Sequence, residues 1–407
     1  MQVCVIGLGY IGLPTALMLA AHGVKVIGVD YKEEVVVSLR HGEIPFEEEG
    51  IENVFHKALA GDISFVTEYP SCSMYIIAVP TPYNPKDKRI DARYVEKAVD
   101  EVVRVCPKGA VIVIESTISP GTIDKFVRPR LERNGFQLGE DVHLVHAPER
   151  IIPGNMIYEL EHNNRTIGAD NREIGQKVKN IYQHFCQGEI VVTDIRTAEM
   201  TKVVENTYRD INIAFANELM RICREDNLDV YEIIRIANMH PRVNILQPGP
   251  GVGGHCISVD PWFLVGDYPS LATLIRHARL INDNMPEFVL QRINEIMAQH
   301  GIQDVNRVGL YGLTYKENVN DTRESPTLQL ISSMEKHLAR GIKVYDPMVK
   351  GDMVAQQYHD FEEFLKDVDM VVVMVGHNEI RQQMDRLAAK IVLDTRHVLN
   401  GPNVEYL

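Results

Sequence analysis

The first thirty residues contain the pattern that most restricts how this chain can fold. An apolar stretch, QVCVIG, leads into Gly7, Gly9 and Gly12 in GxGxxG spacing, and a helical stretch then runs to about Ala21. The next stretch, VKVIGVD, has the composition of a strand and ends in Asp30. A strand, a glycine turn, a helix and a second strand within about thirty residues predict a dinucleotide-binding βαβ unit.

Each glycine of this turn has its own physical role. Gly7 allows the tight turn, Gly9 lets the backbone approach a pyrophosphate, and Gly12 lets the helix pack closely on the strand. The helix N-terminus then faces the phosphates, and the Asp30 carboxylate accepts from ribose hydroxyls. Because that carboxylate repels a 2′-phosphate, we expect NAD rather than NADP, although Lys32 weakens this preference. The alternative is a tight strand–helix turn without a ligand.

Two further apolar runs in the N-terminal half have the character of buried parallel strands. They are SMYIIAVPTP and AVIVIESTIS, and each ends in small polar residues. Ligands of parallel sheets bind at the carboxyl ends of the strands, where Thr81 and Thr117 would lie. A hydroxyl that only caps a loop is the alternative for both threonines.

The last hundred residues repeat this plan. RVGLYGL contains a strand with a glycine turn, GIKVYDP ends a strand in Asp346, and DMVVVMVG and KIVLDT are further buried strands. This is the order of the N-terminal half, so we expect a second Rossmann-like domain. Its first turn lacks GxGxxG, so this domain should bind something other than a dinucleotide.

A long helix is expected between the two halves. Residues 197–226 contain no glycine or proline, and they form a far longer helical segment than the mean of about 11–12 residues. The predicted fold class is therefore α/β, with two Rossmann-like, doubly wound parallel-sheet domains joined by a long central helix. We expect an NAD-binding domain at 1–195, a central helical domain with the cysteine loop at 196–300, and the second Rossmann-like domain at 301–407. The outer surface of the central helix is the expected dimer interface.

Composition excludes several classes of protein. The net charge of −14, without a basic run, argues against binding nucleic acid or a membrane surface. Six scattered cysteines without a CxxC pair predict neither a metal site nor a disulfide framework, and most should be buried apolar residues. The chain begins directly with a strand, with no signal peptide and no membrane-spanning run, so we expect a cytoplasmic protein.

The long helix carries a row of polar residues near one face. Lys202 and Asn206 are one turn apart, and Arg209 or Asp210 and then Asn217 continue the row. Asparagine is a mediocre helix former that is favoured where it makes directional hydrogen bonds. An ammonium group beside an amide can stabilise an oxyanion. A solvated polar stripe is the alternative.

The stretch GPGVGGHCISVDPW surrounds one cysteine with glycines. Cys256 is poorly suited to a core position there, and a helix beginning nearby would favour its thiolate. Asp260 follows four residues later and would reach the same site in a helical turn. His255 is adjacent in sequence, where side chains usually point apart, so we do not favour a Cys–His pair. The glycines would let backbone NH groups and a sugar approach the sulfur.

A dinucleotide site and a nucleophilic thiol together narrow the chemistry. Oxidation of an alcohol to an aldehyde or ketone requires no nucleophile. Oxidation through an aldehyde to an acid does, because a thiohemiacetal can lose a second hydride and leave a thioester. A carboxylate-activated water then hydrolyses the thioester.

The chain resembles the UDP-sugar 6-dehydrogenases, four-electron enzymes that make uronic acids. The resemblance runs through GLGYIGLP, VPTP, ESTISPGT, HAPERIIPG, AEMTKVVENTYRDINIAFANE, GPGVGGHCISVDPW and GLTYKENVNDTRESP. It implies Cys256 as nucleophile, Lys202 and Asn206 as oxyanion stabilisers, and Asp260 as a water-orienting carboxylate. It adds Glu149 as the base for hydrolysis and Thr117 as its water-binding partner.

The resemblance also implies binding residues. Cofactor contacts are implied for Gly7, Gly9, Tyr10, Ile11, Gly12, Asp30, Lys32, Pro80, Thr81, Thr117 and Arg323. Contacts with the UDP-sugar are implied for Glu149, Arg150, Lys202, Asn206, Arg209, Arg242, Gly253, His255, Tyr315, Lys316 and Arg396. The family is usually dimeric, and by analogy Arg242 could reach the substrate of the neighbouring subunit. A surface ion pair is the alternative for Glu149 or Arg323 alone.

One departure bears on the sugar. UDP-glucose dehydrogenases carry a second glutamate four residues after the first, where this chain has Pro153. This position and the stretch from HPRVNILQPGPGVGGHC through VDPWF resemble the branch that oxidises UDP-N-acetyl-D-mannosamine. UDP-N-acetylglucosamine and UDP-glucose are the alternatives, because the epimer rests on resemblance alone.

Two rival functions use the same features differently. A two-electron dehydrogenase of the 6-phosphogluconate or hydroxyacid type also has a Rossmann domain and a Lys/Asn helix, but it needs no thiol. An NAD- or nucleotide-sugar-binding regulatory protein would bind without producing NADH. The GGHC loop and the third domain argue against the first, and the presence of Cys256, Lys202, Asn206 and Glu149 argues against the second.

Overall fold

The computed structural model describes residues 2–46, 48–254, 256–336 and 341–407. The chain divides into two compact units, Met1–Glu205 and Asn206–Leu407. The division falls within one long helix, α8 (Ile195–Glu225), which therefore joins the two α/β units as the sequence predicts. The absence of glycine and proline from 197 to 226 explains why the helix continues for 31 residues.

The first unit is built on a sheet with strand order β3-β2-β1-β4-β5-β6-β7-β8. The first six strands have the Rossmann order, and β7 and β8 extend the sheet beyond β6. The strands are β1 (Gln2–Ile6), β2 (Lys25–Val29), β3 (Ile63–Val66), β4 (Met74–Ile77), β5 (Ala110–Ile114), β6 (Val142–His146), β7 (Arg165–Ala169) and β8 (Ile190–Thr193).

Helices cover both faces of this sheet. They are α1 (Gly12–Ala21), α2 (Glu33–Arg40), α3 (Ile51–Leu59), α4 (Arg93–Val105), α5 (Arg128–Arg133), α6 (Met156–His162) and α7 (Arg172–Tyr182), with a short π-helix at Ile123–Val127. Strand alternation divides the core: Val3 and Val5 pack on the face that carries α1, and Cys4 and Ile6 pack on the opposite face.

One pairing in the first sheet departs from the all-parallel prediction. Strand β7 runs antiparallel to β6, with Val145 opposite Ala169 and His146 opposite Gly168. Strand β8 is parallel to β7, and the other pairs within the described sheet are parallel. The reversal brings the beginning of β7 to the edge of the sheet where β6 ends.

The second unit contains the predicted second sheet, in the order β11-β10-β9-β12-β13-β14. This is the Rossmann order again, and every described pair is parallel. The strands are β9 (Val308–Tyr311), β10 (Lys343–Tyr345), β11 (Gln357–Tyr358), β12 (Met370–Val373), β13 (Ile391–Asp394) and β14 (Val404–Tyr406).

The helices of the second unit complete its core. They are α9 (Val230–Ala237), α10 (Asp260–Asp267), α11 (Thr273–Asp283), α12 (Met285–His300), α13 (Pro326–Lys336), α14 (Phe361–Asp367) and α15 (Asn378–Gln382). Met370 and Val372 pack on one face of the sheet with residues of α12, and Val371 and Val373 pack on the other with residues of α14. Across the described segments, no helix is long and apolar enough to cross a membrane.

Candidate functional site

The glycine turn of the first unit has the geometry of a dinucleotide cradle. Gly7 has a φ of +90°, a conformation that favours glycine, and a Cβ there would lie 2.6 Å from the carbonyl oxygen of Ala78. A Cβ at Gly12 would lie 1.9 Å from the carbonyl oxygen of Gly7. A Cβ at Gly9 would meet nothing within 4 Å, so the turn is open on that side. The tight turn, the close helix and the open approach therefore fit a pyrophosphate.

Asp30 is held in place by backbone amides. Its carboxylate accepts hydrogen bonds from Leu8 N at 2.9 Å and from Lys32 N at 3.0 Å. These contacts fix the acidic group at the end of β2, beside the glycine turn. Tyr10 stacks on Phe46 with ring centroids 4.3 Å apart. Ile11 directly precedes α1.

The loops after β4 and β5 are tied together. Thr81 donates its hydroxyl to the carbonyl oxygen of Thr117 at 2.6 Å, and Ser116 donates to the carbonyl oxygen of Val79 at 2.7 Å. Pro80 is exposed next to them. Both predicted threonines therefore lie at the carboxyl ends of adjacent strands. The hydroxyl of Thr81 bonds a loop carbonyl, as the alternative interpretation of this residue expects.

Glu149 is buried in the loop that follows β6. Its Oε1 accepts from the backbone NH of Arg150 at 2.7 Å, and its Oε2 pairs with the guanidinium of Arg165. Arg150 turns outward to Thr166 Oγ1 at 2.8 Å and to Glu205 at 2.9 Å. Glu149 is therefore a buried, oriented carboxylate and not the surface ion pair considered from the sequence.

In the second unit, Cys256 begins the turn that leads into α10. Its carbonyl oxygen accepts from Val259 N at 3.1 Å and from Asp260 N at 2.9 Å. Cys256 is exposed, whereas Asp260, at the first position of α10, is buried. The cysteine thus lies at the N-terminal end of a helical turn, with the carboxylate one turn later, which is the condition under which the sequence argument places Asp260 near it.

The remaining cysteines differ from Cys256. Cys4, Cys72, Cys186 and Cys223 are buried, and Cys106 is partly buried, which confirms that most are apolar core residues. Burial raises the pKa of Cys4 and Cys72 and favours the unreactive thiol. Among the six cysteines, Cys256 in the glycine-rich loop is therefore the one with an exposed side chain.

Close packing explains the glycines before Cys256. A Cβ at Gly253 would lie 2.6 Å from the carbonyl oxygen of Glu324 and 2.7 Å from Cβ of Tyr315. A Cβ at Gly254, whose φ is +83°, would lie 2.8 Å from the ring of Tyr315. Gly254 N also donates to the carbonyl oxygen of Arg323 at 2.9 Å. The glycines let this loop lie directly against the segment 315–326. Close packing therefore accounts for these glycines without a bound phosphate.

Two asparagines of α8 hold the two ends of this loop. Asn217 Oδ1 accepts from Gly249 N at 2.9 Å, and Asn206 Nδ2 donates to Asp260 Oδ2 at 2.5 Å. Both asparagines are buried. The sequence argument that asparagine in this helix makes directional hydrogen bonds is confirmed.

The other polar residues of α8 separate by exposure. Lys202 is buried, whereas Arg209 is exposed. Asp210 is buried, pairs with Arg279, and accepts from Asn282 Nδ2 at 2.8 Å. Burial raises the pKa of Asp210 to about 6. Of the two candidates at this turn, Asp210 therefore belongs to the buried row.

The remaining predicted binding residues that the structure describes lie on loops of the second unit. Arg396 follows β13, and a Cβ at Gly249 would lie 2.8 Å from its Nη1. The carbonyl oxygen of Lys316 accepts from Thr314 Oγ1 at 2.9 Å. Arg323 pairs with Asp321 at 2.6 Å. Arg242 is exposed in the segment after α9, and His255 lies outside the described residues.

The sequence interpretation missed the residues that surround Glu149. Arg165, Glu115 and Tyr182 form a buried polar group with it. One signal was available: Glu115 and Arg165 are charged residues directly next to apolar runs. Their meeting, however, depends on the reversed strand β7, which no local pattern reveals.

Comparisons with known proteins agree along the whole chain. Three domain models of the UDP-glucose/GDP-mannose dehydrogenase family match in succession: the NAD binding domain at 1–186, the central domain at 196–284 and the UDP binding domain at 309–401.

Individual relatives cover nearly all of the chain. A UDP-N-acetyl-D-mannosamine dehydrogenase from Methanococcus vannielii is 42% identical, over 98% of this chain and 93% of that protein. An NDP-N-acetyl-D-galactosaminuronic acid dehydrogenase from Ralstonia solanacearum is 40% identical, over 97% and 95%. The solved structure of the UDP-N-acetyl-mannosamine dehydrogenase Cap5O from Staphylococcus aureus is 41% identical, with a TM-score of 0.89, and covers 100% of this chain and 97% of that one.

Proposed function

This chain belongs to the UDP-glucose/GDP-mannose dehydrogenase family, and we propose that it oxidises the C6 hydroxyl of UDP-N-acetyl-D-mannosamine to a carboxylate. The family supplies an NAD binding domain and a UDP binding domain. The observation that carries the four-electron reaction is the exposed Cys256 at the beginning of the turn into α10. The choice of sugar follows from relatives of that name at about 40% identity along nearly the whole chain.

NAD+ fits the cradle of Gly7, Gly9 and Gly12, with Asp30 for a ribose. When bound, it accepts the hydride in each of the two oxidations. Pro80, Thr81 and Thr117 lie at the ends of the adjacent strands. We assign the UDP-sugar contacts to residues of the family motifs, including Arg150, Gly253, Tyr315, Lys316 and Arg396.

Cys256 carries the second oxidation. After the first hydride leaves C6, the sulfur adds to the aldehyde carbon and forms a C–S bond. Lys202 and Asn206 hold the oxygen that becomes negative in this thiohemiacetal. Loss of a second hydride from the same carbon leaves a thioester on Cys256. Binding to Asp260 uses one of the two amide hydrogens of Asn206, so the amide can be oriented and still donate to the substrate.

Glu149 removes the product from the sulfur. Its carboxylate takes a proton from the attacking water, with Thr117 and Asp260 as the groups that position this water. The C–S bond breaks, the electron pair returns to sulfur, and the carboxylate product leaves. One alcohol and one water thereby give one carboxylate, two hydrides and three protons.

The first experiment counts the NADH formed per sugar consumed. Wild type and Cys256→Ala are compared with UDP-N-acetylmannosamine, UDP-N-acetylglucosamine and UDP-glucose in parallel. We expect two NADH per UDP-N-acetylmannosamine and loss of turnover in the variant. One NADH per sugar, or a variant that turns over normally, would indicate that the protein is a two-electron dehydrogenase. Faster turnover of another sugar would correct the substrate alone.

A second acetamido sugar also has support. Relatives named NDP-N-acetyl-D-galactosaminuronic acid dehydrogenases are 40% identical over nearly the whole chain. The same assay should therefore include UDP-N-acetylgalactosamine. Specificity for it, rather than for the mannosamine epimer, would leave the chemistry of Cys256 unchanged.

We propose that the protein is a homodimer formed through α8. Tyr208, Phe215 and Ile222 are 62%, 51% and 55% exposed and recur every seven residues, so they form one apolar stripe along the helix. Such a stripe is typical of a surface that a partner covers. A second copy of the chain fits best, and the exposed Arg242 could then serve the neighbouring substrate site.

Sedimentation velocity tests this assembly. Phe215→Glu should shift the protein from dimer to monomer, because a carboxylate in the stripe opposes burial. Leu59→Glu is the control, since Leu59 is an exposed apolar residue of α3 in the first unit. A Phe215→Glu protein that remains dimeric would exclude this stripe as the interface.

A reaction that consumes NAD+ and a UDP-sugar also fits the cytoplasm, where we expect the protein to act.

A further inference from the structure

A buried charged cluster lies at the carboxyl edge of the first sheet. We call it the Arg165 cluster, and it consists of Thr15, Glu115, Glu149, Arg165 and Tyr182. Glu115 directly follows β5, and Glu149 follows β6, so both carboxylates lie at neighbouring strand ends. The side chains of Glu115, Glu149 and Arg165 are 0%, 3% and 5% exposed.

The reversal of β7 places Arg165 in this cluster. In the β6–β7 register, His146 lies opposite Gly168. Three residues further along each chain, the same register brings Glu149 opposite Arg165. If β7 ran parallel to β6, its first residue would lie at the other edge of the sheet.

Arg165 is held from several sides. It pairs with Glu149, its Nη1 lies 3.8 Å from Glu115 Oε1, and its guanidinium lies 4.5 Å from the ring centroid of Tyr182. Phe185 packs at 5.2 Å. The two rings pack against the guanidinium and restrict its position beside the two carboxylates.

Glu115 has a separate set of partners. Its Oε1 accepts from Tyr182 Oη at 2.8 Å and from Thr15 Oγ1 at 3.3 Å. Thr15 belongs to α1, the helix of the dinucleotide cradle. Glu115 therefore links that helix to the guanidinium that binds Glu149.

The charges do not balance if every group is ionised. Two carboxylates would face one guanidinium in a site shielded from water, which favours retention of one proton. Burial, followed by the repulsion of Glu149, raises the pKa of Glu115 to about 8, against the opposing effects of Arg165, Tyr182 and Thr15. Glu115 is thus the group that stays neutral near pH 7, beside the contact of Arg165 with Glu149.

We propose that Glu115 is a positioning residue for thioester hydrolysis: as a neutral carboxyl it supports Arg165, which in turn holds the Glu149 carboxylate in the orientation that accepts the proton of the attacking water. This inference rests on the proposed function, since it requires a thioester and Glu149 as its base. Ionisation of Glu115 would draw Arg165 between two carboxylates and loosen its hold on Glu149.

The test separates acylation of Cys256 from hydrolysis. Enzyme, NAD+ and sugar are mixed in a single turnover, and the acyl group on Cys256 is followed by mass spectrometry of quenched samples from pH 6 to pH 9. Glu149→Gln is the reference in which the acyl-enzyme accumulates. Wild type, Glu115→Gln, Glu115→Ala and Tyr182→Phe are then compared.

Glu115→Gln, which keeps a neutral polar side chain, should behave differently from Glu115→Ala, which removes it. At pH 7 we expect Glu115→Ala to slow hydrolysis about tenfold or more, with little change in acylation rate or KM, and Glu115→Gln to recover most of that loss. Wild-type hydrolysis should slow above about pH 8. That alkaline inflection should be absent in Glu115→Gln and should move to higher pH in Tyr182→Phe, which removes a hydrogen bond that favours the ionised form.

Several outcomes would overturn the inference. They are wild-type hydrolysis in Glu115→Ala, an unchanged alkaline inflection in Glu115→Gln, or equal slowing of acylation and hydrolysis, which would indicate a merely structural role. If no acyl group forms on Cys256 even in Glu149→Gln, the proposed function itself fails. If the acyl group forms and decays equally fast in the wild type and all Glu115 variants, only the role of Glu115 fails.

Discussion

Replacing Gly253 with alanine should destabilise the second unit and displace the cysteine loop. The added Cβ would lie 2.6 Å from the carbonyl oxygen of Glu324, 2.7 Å from Cβ of Tyr315 and 3.0 Å from Cδ of Pro326. None of these atoms is the far end of a flexible side chain, so the loop itself must move. Overpacking of this kind typically costs about 1–3 kcal/mol.

The displacement should also affect catalysis, because Cys256 lies three residues after Gly253. Misplacement of a reacting group by about 1 Å can reduce the rate about a hundredfold. We therefore expect the rate of acylation of Cys256 to fall between about tenfold and a hundredfold. The neighbouring hydrogen bond from Gly254 N to the carbonyl oxygen of Arg323 would be strained as well.

Gly351→Ala is the matched control. A Cβ at Gly351 would meet nothing within 4 Å, so this substitution should leave stability within about 1 kcal/mol of wild type. Guanidinium unfolding monitored by circular dichroism gives the free energy for each protein, and single-turnover NADH formation gives the acylation rate. A Gly253→Ala protein as stable and as active as Gly351→Ala would refute the argument that close packing requires the glycine.

Three further predictions follow from other contacts. Asp30→Ala should raise the Kd for NAD+ about tenfold or more, measured by calorimetry, and an unchanged Kd would contradict its ribose contact. Arg279→Met should destabilise the fold by about 3–5 kcal/mol because it removes the ion-pair partner of the buried Asp210. Arg235→Met, at an exposed ion pair, should change the stability far less, and equal losses in denaturant unfolding would contradict this. Glu115 keeps in the folded state a proton that the unfolded chain releases near pH 4.5, so stability relative to Glu115→Gln should fall as the pH rises from about 4.5 to about 8 and level off above; a pH-independent difference in unfolding free energy would exclude the raised pKa.

Much of the fold could be predicted because short segments of the sequence indicate its turns, strands and helices. The GxGxxG turn, the strand that ends in Asp30 and the later repetition of the plan identify two doubly wound sheets. A thirty-residue run without glycine or proline predicts the long helix, and α8 spans Ile195–Glu225. The division into three domains and the roles of individual site residues stay predictions.

Candidate residues were recognisable by type and spacing, but their partners were not. The sequence singles out Cys256 in its glycine-rich loop, and the structure finds it exposed while most other cysteines are buried. It does not reveal that the glycines pack against Tyr315, or that Asn206 and Asn217 hold the two ends of the loop. These contacts join residues that are far apart in the chain.

By itself, the sequence determined the class of fold and the dinucleotide cradle and singled out Cys256 as the candidate nucleophile, because periodicity, glycine spacing and local composition act over a few residues. Only the tertiary structure decided the surroundings of Glu149. Arg165 reaches it because β7 runs antiparallel to β6, and Glu115 and Tyr182 meet the same guanidinium from β5 and α7. Strand direction depends on the packing of the whole sheet, and burial then sets the charge of each group by excluding water.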